Sequence, residues 1–224
     1  GLRAALGGGG GGRVGAGVGG GGGGHSDAAV QAVLKKLEGI VGLASVKKFV
    51  KQLMAQLQLK MERKEAGLPV AADASLHMTF LGNPGTGKTT VAALYGRILN
   101  ELGFLSKGDV VLATPSDFVG SALGQSEEKT NALLDRARGH VLVIDEAYGL
   151  HEGMYGAKAI ETIISKVHNT PGEDIAVLLL GYEPQMMKML REANPGLQRR
   201  FSPESAFKFE DFTDAQLEEL LHLA

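Results

Sequence analysis

The sequence predicts an α/β fold in which a parallel five-stranded sheet is covered by helices on both faces, a three-layer sandwich. Three observations carry that prediction. Short apolar runs at 76–81, 109–114, 140–144, 175–180 and 207–210 read as strands. Segments with apolar residues at helical spacing alternate with them, as a parallel sheet with crossover helices requires. The first strand leads directly into Gly82-Asn83-Pro84-Gly85-Thr86-Gly87-Lys88-Thr89, and a helical pattern over Val91–Leu102 follows. Glycine, four residues, Gly-Lys-Thr between a strand and a helix is a phosphate loop in the context that the motif needs.

Taken in order, residues 1–25 hold the runs Gly7–Gly12 and Gly19–Gly24 and little that could build a core, so they read as a tail or linker. Arg3 and Arg13 precede any acid, but without serines around them a transit peptide is the poorer reading. Ser26 and Asp27 can cap a helix running to about Leu37. Glu38–Leu43 then forms an apolar turn in which Val41 and Gly42 can lie against an adenine ring. The next helix carries the stripe Val46, Phe49, Val50, Leu53, Met54, Leu57 and Met61, read as core, with Lys47, Lys48, Lys51 and Lys60 mostly on a solvated face.

Gly67-Leu68-Pro69 ends that helix. After the phosphate loop come helices at 91–102, 127–137, 157–168 and 184–192, the last with proline in its first turn. Thr213-Asp214-Ala215-Gln216 has the form of a capping box and opens a final helix. Residue 1 is not Met and the chain stops within that helical pattern, so the expectation is a piece of a longer polypeptide.

The loop has a definite chemistry. Its glycines let consecutive N–H groups turn inward at nucleotide phosphates, at the positive end of the following helix. Gly82, Asn83, Pro84, Gly85, Thr86, Gly87, Lys88, Thr89 and Thr90 are therefore the candidate nucleotide-binding residues. Lys88 reaches the β and γ phosphates, and the Thr89 hydroxyl is a ligand for Mg²⁺, while Thr90 is read as packing or capping. Val141-Leu142-Val143-Ile144-Asp145-Glu146 is an apolar strand ending in two acids. Asp145 is expected to hold Mg²⁺ and Glu146 to polarise the attacking water, because phosphoryl transfer rests on positioning and charge neutralisation. ATP and Mg²⁺ are the expected cofactors of a P-loop NTPase.

Composition removes other functions. With no cysteine, disulfides, thiol catalysis and zinc-thiolate sites are excluded. A net charge of -2 argues against a broadly basic nucleic-acid surface. The longest apolar run is far below the ~20 residues that a membrane span needs, so a soluble protein without a membrane partner is expected. The six histidines show no paired ligand spacing. The compartment stays open between cytoplasm and an organellar stroma or matrix.

The order of parts resembles an AAA+ ATPase and in detail the CbxX/CfqX family, which includes the red-type Rubisco activases. The resemblance rests on Leu81–Thr90, on Ser116-Asp117-Phe118-Val119-Gly120 followed by Leu123-Gly124, and on Lys129-Thr130. It continues in Val143–Tyr148, Gly181-Tyr182 and Asn194-Pro195-Gly196-Leu197, and covers about residue 38 to the end. It implies an AAA+ core over 26–211, with 212–224 as the first helix of a lid. It also implies a homo-oligomeric, hexameric ring in which Arg200, with Arg199 as alternative, completes a neighbour's site, and a protein client that ATP hydrolysis remodels. In the first pore loop, where red-type activases place a tyrosine, this chain has Ala122. Two other readings stay open: a nucleic-acid-dependent P-loop motor, which the charge balance disfavours, and a nucleotide-binding interaction module without efficient hydrolysis.

Overall fold

In the computed structural model, which describes residues 35, 44–68, 75–122, 124–168 and 173–223, five strands pair entirely in parallel. They are β1 (Met78–Leu81), β2 (Val110–Ala113), β3 (Val141–Ile144), β4 (Ala176–Gly181) and β5 (Phe207–Lys208), in the spatial order β2-β3-β4-β1-β5. Every residue of β1, β3 and β4 is buried, which is why these strands read as unbroken apolar runs. The edge strand β2 is only partly covered, and Leu112 on it is exposed.

Successive residues of each central strand serve opposite layers, as the two-residue period of a strand demands. Val141, Val143, Leu178 and Leu180 pack with Met54 of α1 (Ala44–Glu65) and with Val91, Tyr95, Ile98 and Leu99 of α2 (Lys88–Glu101). Leu142, Ile144, Val177 and Leu179 pack on the other face. There they meet α4 (Gln125–Arg136), α5 (Gly153–Lys166) and α6 (Glu183–Glu192), through Leu133, Ile160, Ile163, Met186 and Leu190 among others. Tyr95, buried on α2, donates its hydroxyl to Leu76 O at 2.8 Å, and burial pushes its phenol pKa upward. That bond ties α2 to the chain entering β1.

The boundaries differ from the sequence reading in one consistent way. Helices α2, α4 and α5 begin at Lys88, Gln125 and Gly153, ahead of the expected 91, 127 and 157. Apolar periodicity detects a helix only where apolar side chains meet the core, and the residues ahead of the expected starts include none, Ser126 and Gly156 being buried without one. Two short helices carry too little periodicity in four to six residues to be read from it. Of these, α3 (Pro115–Phe118) has no counterpart in the sequence expectation, while α7 (Pro195–Arg200) is the helix that the family resemblance implies, with Arg200 closing it. The last strand ends at Lys208, although Phe209 N still donates to Leu81 O at 2.7 Å. The closing helix α8 (Asp214–Leu223) starts with the expected capping box, Thr213 N–H donating to Gln216 Oε1 at 2.9 Å and Gln216 N–H to Thr213 Oγ1 at 3.4 Å.

On α1, Phe49 is half-buried and stacks on Phe207 of β5 with ring centroids 4.4 Å apart, in line with the core stripe, while Lys48 and Lys51 are exposed. The glycine-rich stretch 1–25, the helix expected from Ser26, the turn holding Val41 and Gly42, and Leu123 lie outside the described residues.

Candidate nucleotide-binding site

Parallel strands carry their ligand sites beyond their carboxyl ends, and here the ends of β1, β4 and β3 lie side by side. The loop leaving β1 is anchored by Gly82 N–H donating to Gly181 O at 3.2 Å. Its turns at Gly85 and Gly87 have φ of 77° and 87°, a left-handed backbone that a side chain would strain. Gly87 is also the residue that caps α2, so the loop feeds directly into the helix. The first-turn N–H groups of α2 have no partner within the helix.

Thr86, buried, donates its hydroxyl to Asn83 O at 2.8 Å and holds the loop curled. Lys88 Nζ spans the same curl, donating to Gly82 O at 2.8 Å and to Asn83 O at 2.6 Å. Partial burial lowers the Lys88 pKa, and the carboxylates of Asp145 and Asp211 oppose that shift. The ammonium is thus held inside the curl of the loop.

At the end of β3, Asp145 is half-buried and one of its oxygens, Oδ1, accepts Glu146 N–H at 3.0 Å. Glu146 is exposed and takes φ of 51°, the only positive φ at a non-glycine among the described residues. Such a conformation costs of order 1–3 kcal/mol and persists where surrounding structure enforces it, commonly at working sites. The two acids that follow β3 differ in exposure, Asp145 half-buried and Glu146 exposed, and both border the same cavity. Tyr148, in the 3₁₀ turn that follows (Ala147–His151), has its phenol pKa raised by burial and then by Glu146.

These parts enclose a cavity of about 390 Å³, within the range of small-molecule sites. Its wall includes Gly82, Pro84, Gly85 and Gly87–Thr90 of the loop, Asp145 and Glu146 just after β3, Gly181 at the end of β4 and Tyr182 after it. Thr89 and Thr90 are both exposed in it, so Thr90 neither packs nor caps as the sequence reading expected. Gly181 and Tyr182 were quoted in the sequence only as part of the family resemblance. Their signal as site residues was their place at the end of the most apolar strand, next to β1.

Arg199 and Arg200 close α7 and take no part in that wall. Arg200 is half-buried; its Nε donates to Val167 O at the end of α5 and its Nη1 to Gly196 O at 3.0 Å. Arg199 is exposed. Ala122 is exposed in the loop before α4, where its N–H donates to Gln125 Oε1 at 3.2 Å.

The family model described as "ATPase family associated with various cellular activities (AAA)" matches residues 78–207. Protein CfxQ of Xanthobacter flavus is 40% identical over 187 residues, covering 82% of this chain and 57% of the relative. Stage V sporulation protein K of Bacillus subtilis is 38% identical over 194 residues, covering 85% of this chain and 59% of the relative. Protein CbbX of Cereibacter sphaeroides is 37% identical over 201 residues, with 88% and 63% covered. The chain therefore spans less than two thirds of the length of these relatives. Among solved structures, the FIGL-1 AAA domain in complex with ADP aligns at a TM-score of 0.55 and 20% identity, over 83% of this chain and 59% of that one. The HORMA:CdnC:Trip13 complex of E. coli MS115-1 aligns at 0.55 and 19%, over 86% and 70%. At such identities the two structures speak for the fold alone.

Proposed function

This chain belongs to the AAA family of ATPases, and from that membership we propose that it binds and hydrolyses ATP with magnesium in the cavity between β1, β3 and β4, within a ring that remodels a protein partner. One observation carries the reading: the phosphate loop with Lys88 and the two acids Asp145 and Glu146, distant in sequence, line the same cavity.

Each group has a task there. The N–H groups of Gly85–Thr90 and the Lys88 ammonium receive the β and γ phosphates, Lys88 exchanging the carbonyls of Gly82 and Asn83 for phosphate oxygens. The donor set fits a magnesium ion, which prefers hard oxygens: the exposed Thr89 hydroxyl and the Asp145 carboxylate, one oxygen of which already accepts an N–H bond. A magnesium ion held by these groups would supply neutralisation of phosphate charge. Glu146, exposed at a left-handed backbone position, orients water and accepts its proton. Tyr182 forms the wall at the end of β4.

Arg200 is proposed to act on the nucleotide of a neighbouring copy, since neither it nor Arg199 lines the cavity of its own chain. Its bonds to Val167 and Gly196 would have to loosen for that. The domain reading follows the same lines, an ATPase core to residue 211 and α8 as the start of a lid.

The test is phosphate release from magnesium ATP by the full-length polypeptide, with Lys88→Ala and excess chelator as controls. Turnover that both controls abolish supports the reading. Tight nucleotide binding without turnover, in the presence of client-free and client-containing lysate alike, would favour an interaction module.

A further inference from the structure

We propose that Asp211 is a positioning residue of the phosphate loop, tethering Asn83 so that the state of the loop is carried to the first turn of α8; the inference rests on the nucleotide reading of the same site. Asn83 is a junction. Its carbonyl accepts from Lys88 Nζ at 2.6 Å and from Thr86 Oγ1 at 2.8 Å, while its side-chain Nδ2 donates to both oxygens of Asp211, at 3.0 and 2.8 Å. The two residues are 128 positions apart, so nothing local in the sequence brings them together.

The chain around Asp211 is pressed against the loop on its near side too. A Cβ placed on Gly82 would come within 2.9 Å of both Cβ and O of Phe209, and Phe209 N–H pairs with Leu81 O at 2.7 Å. Two residues after Asp211, Thr213 makes the capping box that begins α8, with Leu217 N–H donating to Thr213 O at 2.9 Å. Residues 209–213 therefore form a short strap from the loop to the helix.

The chemistry of the site gives the strap something to report. Lys88 serves the carbonyls of Gly82 and Asn83 here, and must leave them to meet a phosphate. The Asn83 carbonyl then loses its cation and the peptide readjusts, while its side chain stays bound to Asp211. Asp211 is also one of the two carboxylates that favour the charged form of Lys88, so tether and cation are coupled electrostatically as well. Phosphate entry is thus felt at Asp211 and, through Thr213, at the amides of α8.

Hydrogen exchange of the full-length polypeptide, with and without magnesium ADP, tests this. In the native protein ADP should slow exchange both in the loop amides 82–90 and in amides 214–218. Asp211→Ala should keep the slowing in the loop and lose it at 214–218. Asp211→Asn, whose amide oxygen can still accept from Asn83, should restore it, which a merely destabilised variant would not do. Equal slowing at 214–218 in Asp211→Ala, or none there in the native protein despite slowing in the loop, overturns the tether. No slowing in the native loop would overturn the nucleotide reading itself, and the tether with it.

Discussion

At the scale of single residues, the two acids that follow β3 differ in backbone: Glu146 takes a left-handed φ of 51° and its N–H donates to the Asp145 carboxylate. The proposed mechanism gives metal binding to Asp145 and water activation to Glu146. Glu146→Gln is expected to keep nucleotide affinity and lower kcat by about 10²- to 10⁴-fold, because the amide preserves shape but cannot accept a proton. Paired ADP titrations and steady-state phosphate release check it; a rate near the native value would assign the base elsewhere. Asp117 offers a pH handle away from the chemistry. Its carboxylate accepts from Thr114 N–H at 2.7 Å and from the Thr114 hydroxyl at 2.9 Å, and these bonds hold its pKa below the ordinary value. A depressed folded pKa stabilises above the unfolded value of about 3.9, and the gain disappears as pH falls through the folded value. The residue is largely exposed, so the screened contribution is about 0.3–1 kcal/mol. Asp117→Asn should lose that at neutral pH and show a shallower fall in denaturation midpoint below pH 4.

Between elements, the closest approach lies where α2 crosses the chain that enters β2. A Cβ on Gly96 would stand 2.2 Å from Gly108 O and 2.9 Å from Val141 Cγ2, the first of these a backbone atom that cannot swing aside. Gly96→Ala is therefore expected to destabilise the fold by about 1–3 kcal/mol, the usual cost of overpacking, despite alanine's better helix propensity. Urea denaturation would measure it, and a neutral or stabilising result would mean that α2 can shift from the sheet. Because α2 begins with Lys88 itself, a shift of this helix also moves the phosphate site. Nucleotide affinity in this variant should fall along with stability.

For the whole molecule, the proposed ring makes a prediction that no single chain can satisfy. Subunits with Arg200→Ala retain the phosphate loop, and subunits with Lys88→Ala retain Arg200, so mixing the two full-length variants should recover part of the activity that each lacks. Arginine fingers in related phosphoryl transfer are worth ~10³ to 10⁵ in rate, enough for partial recovery to stand out. Mixed rings that native mass spectrometry confirms but that stay inactive would oppose lending across an interface. Full activity of Arg200→Ala alone would move the role to the exposed Arg199 or remove it. Arg200 also binds two carbonyls of its own chain, so the variant's melting temperature must be compared before its rate is read.

The sequence by itself determined the five strands, the longer helices between them and the loop joining β1 to α2, because each depends on residues near one another in the chain: a strand's apolar run, a helix's stripe, the spacing of Gly82, Gly87 and Lys88. It also determined that Asp145 and Glu146 directly follow a strand. Their meeting with Lys88 is expected from the chemistry of the two motifs, but the parallel order β2-β3-β4-β1-β5 is what brings the ends of β1 and β3 to one cavity. Tyr182 entered the wall by the same route. Glu146's left-handed backbone, the hold of Arg200 on Val167 and the bond from Asn83 to Asp211 had no local signature at all. The last two arise from groups that chain distance keeps apart and packing presses together, and short-range periodicity carries no record of such encounters.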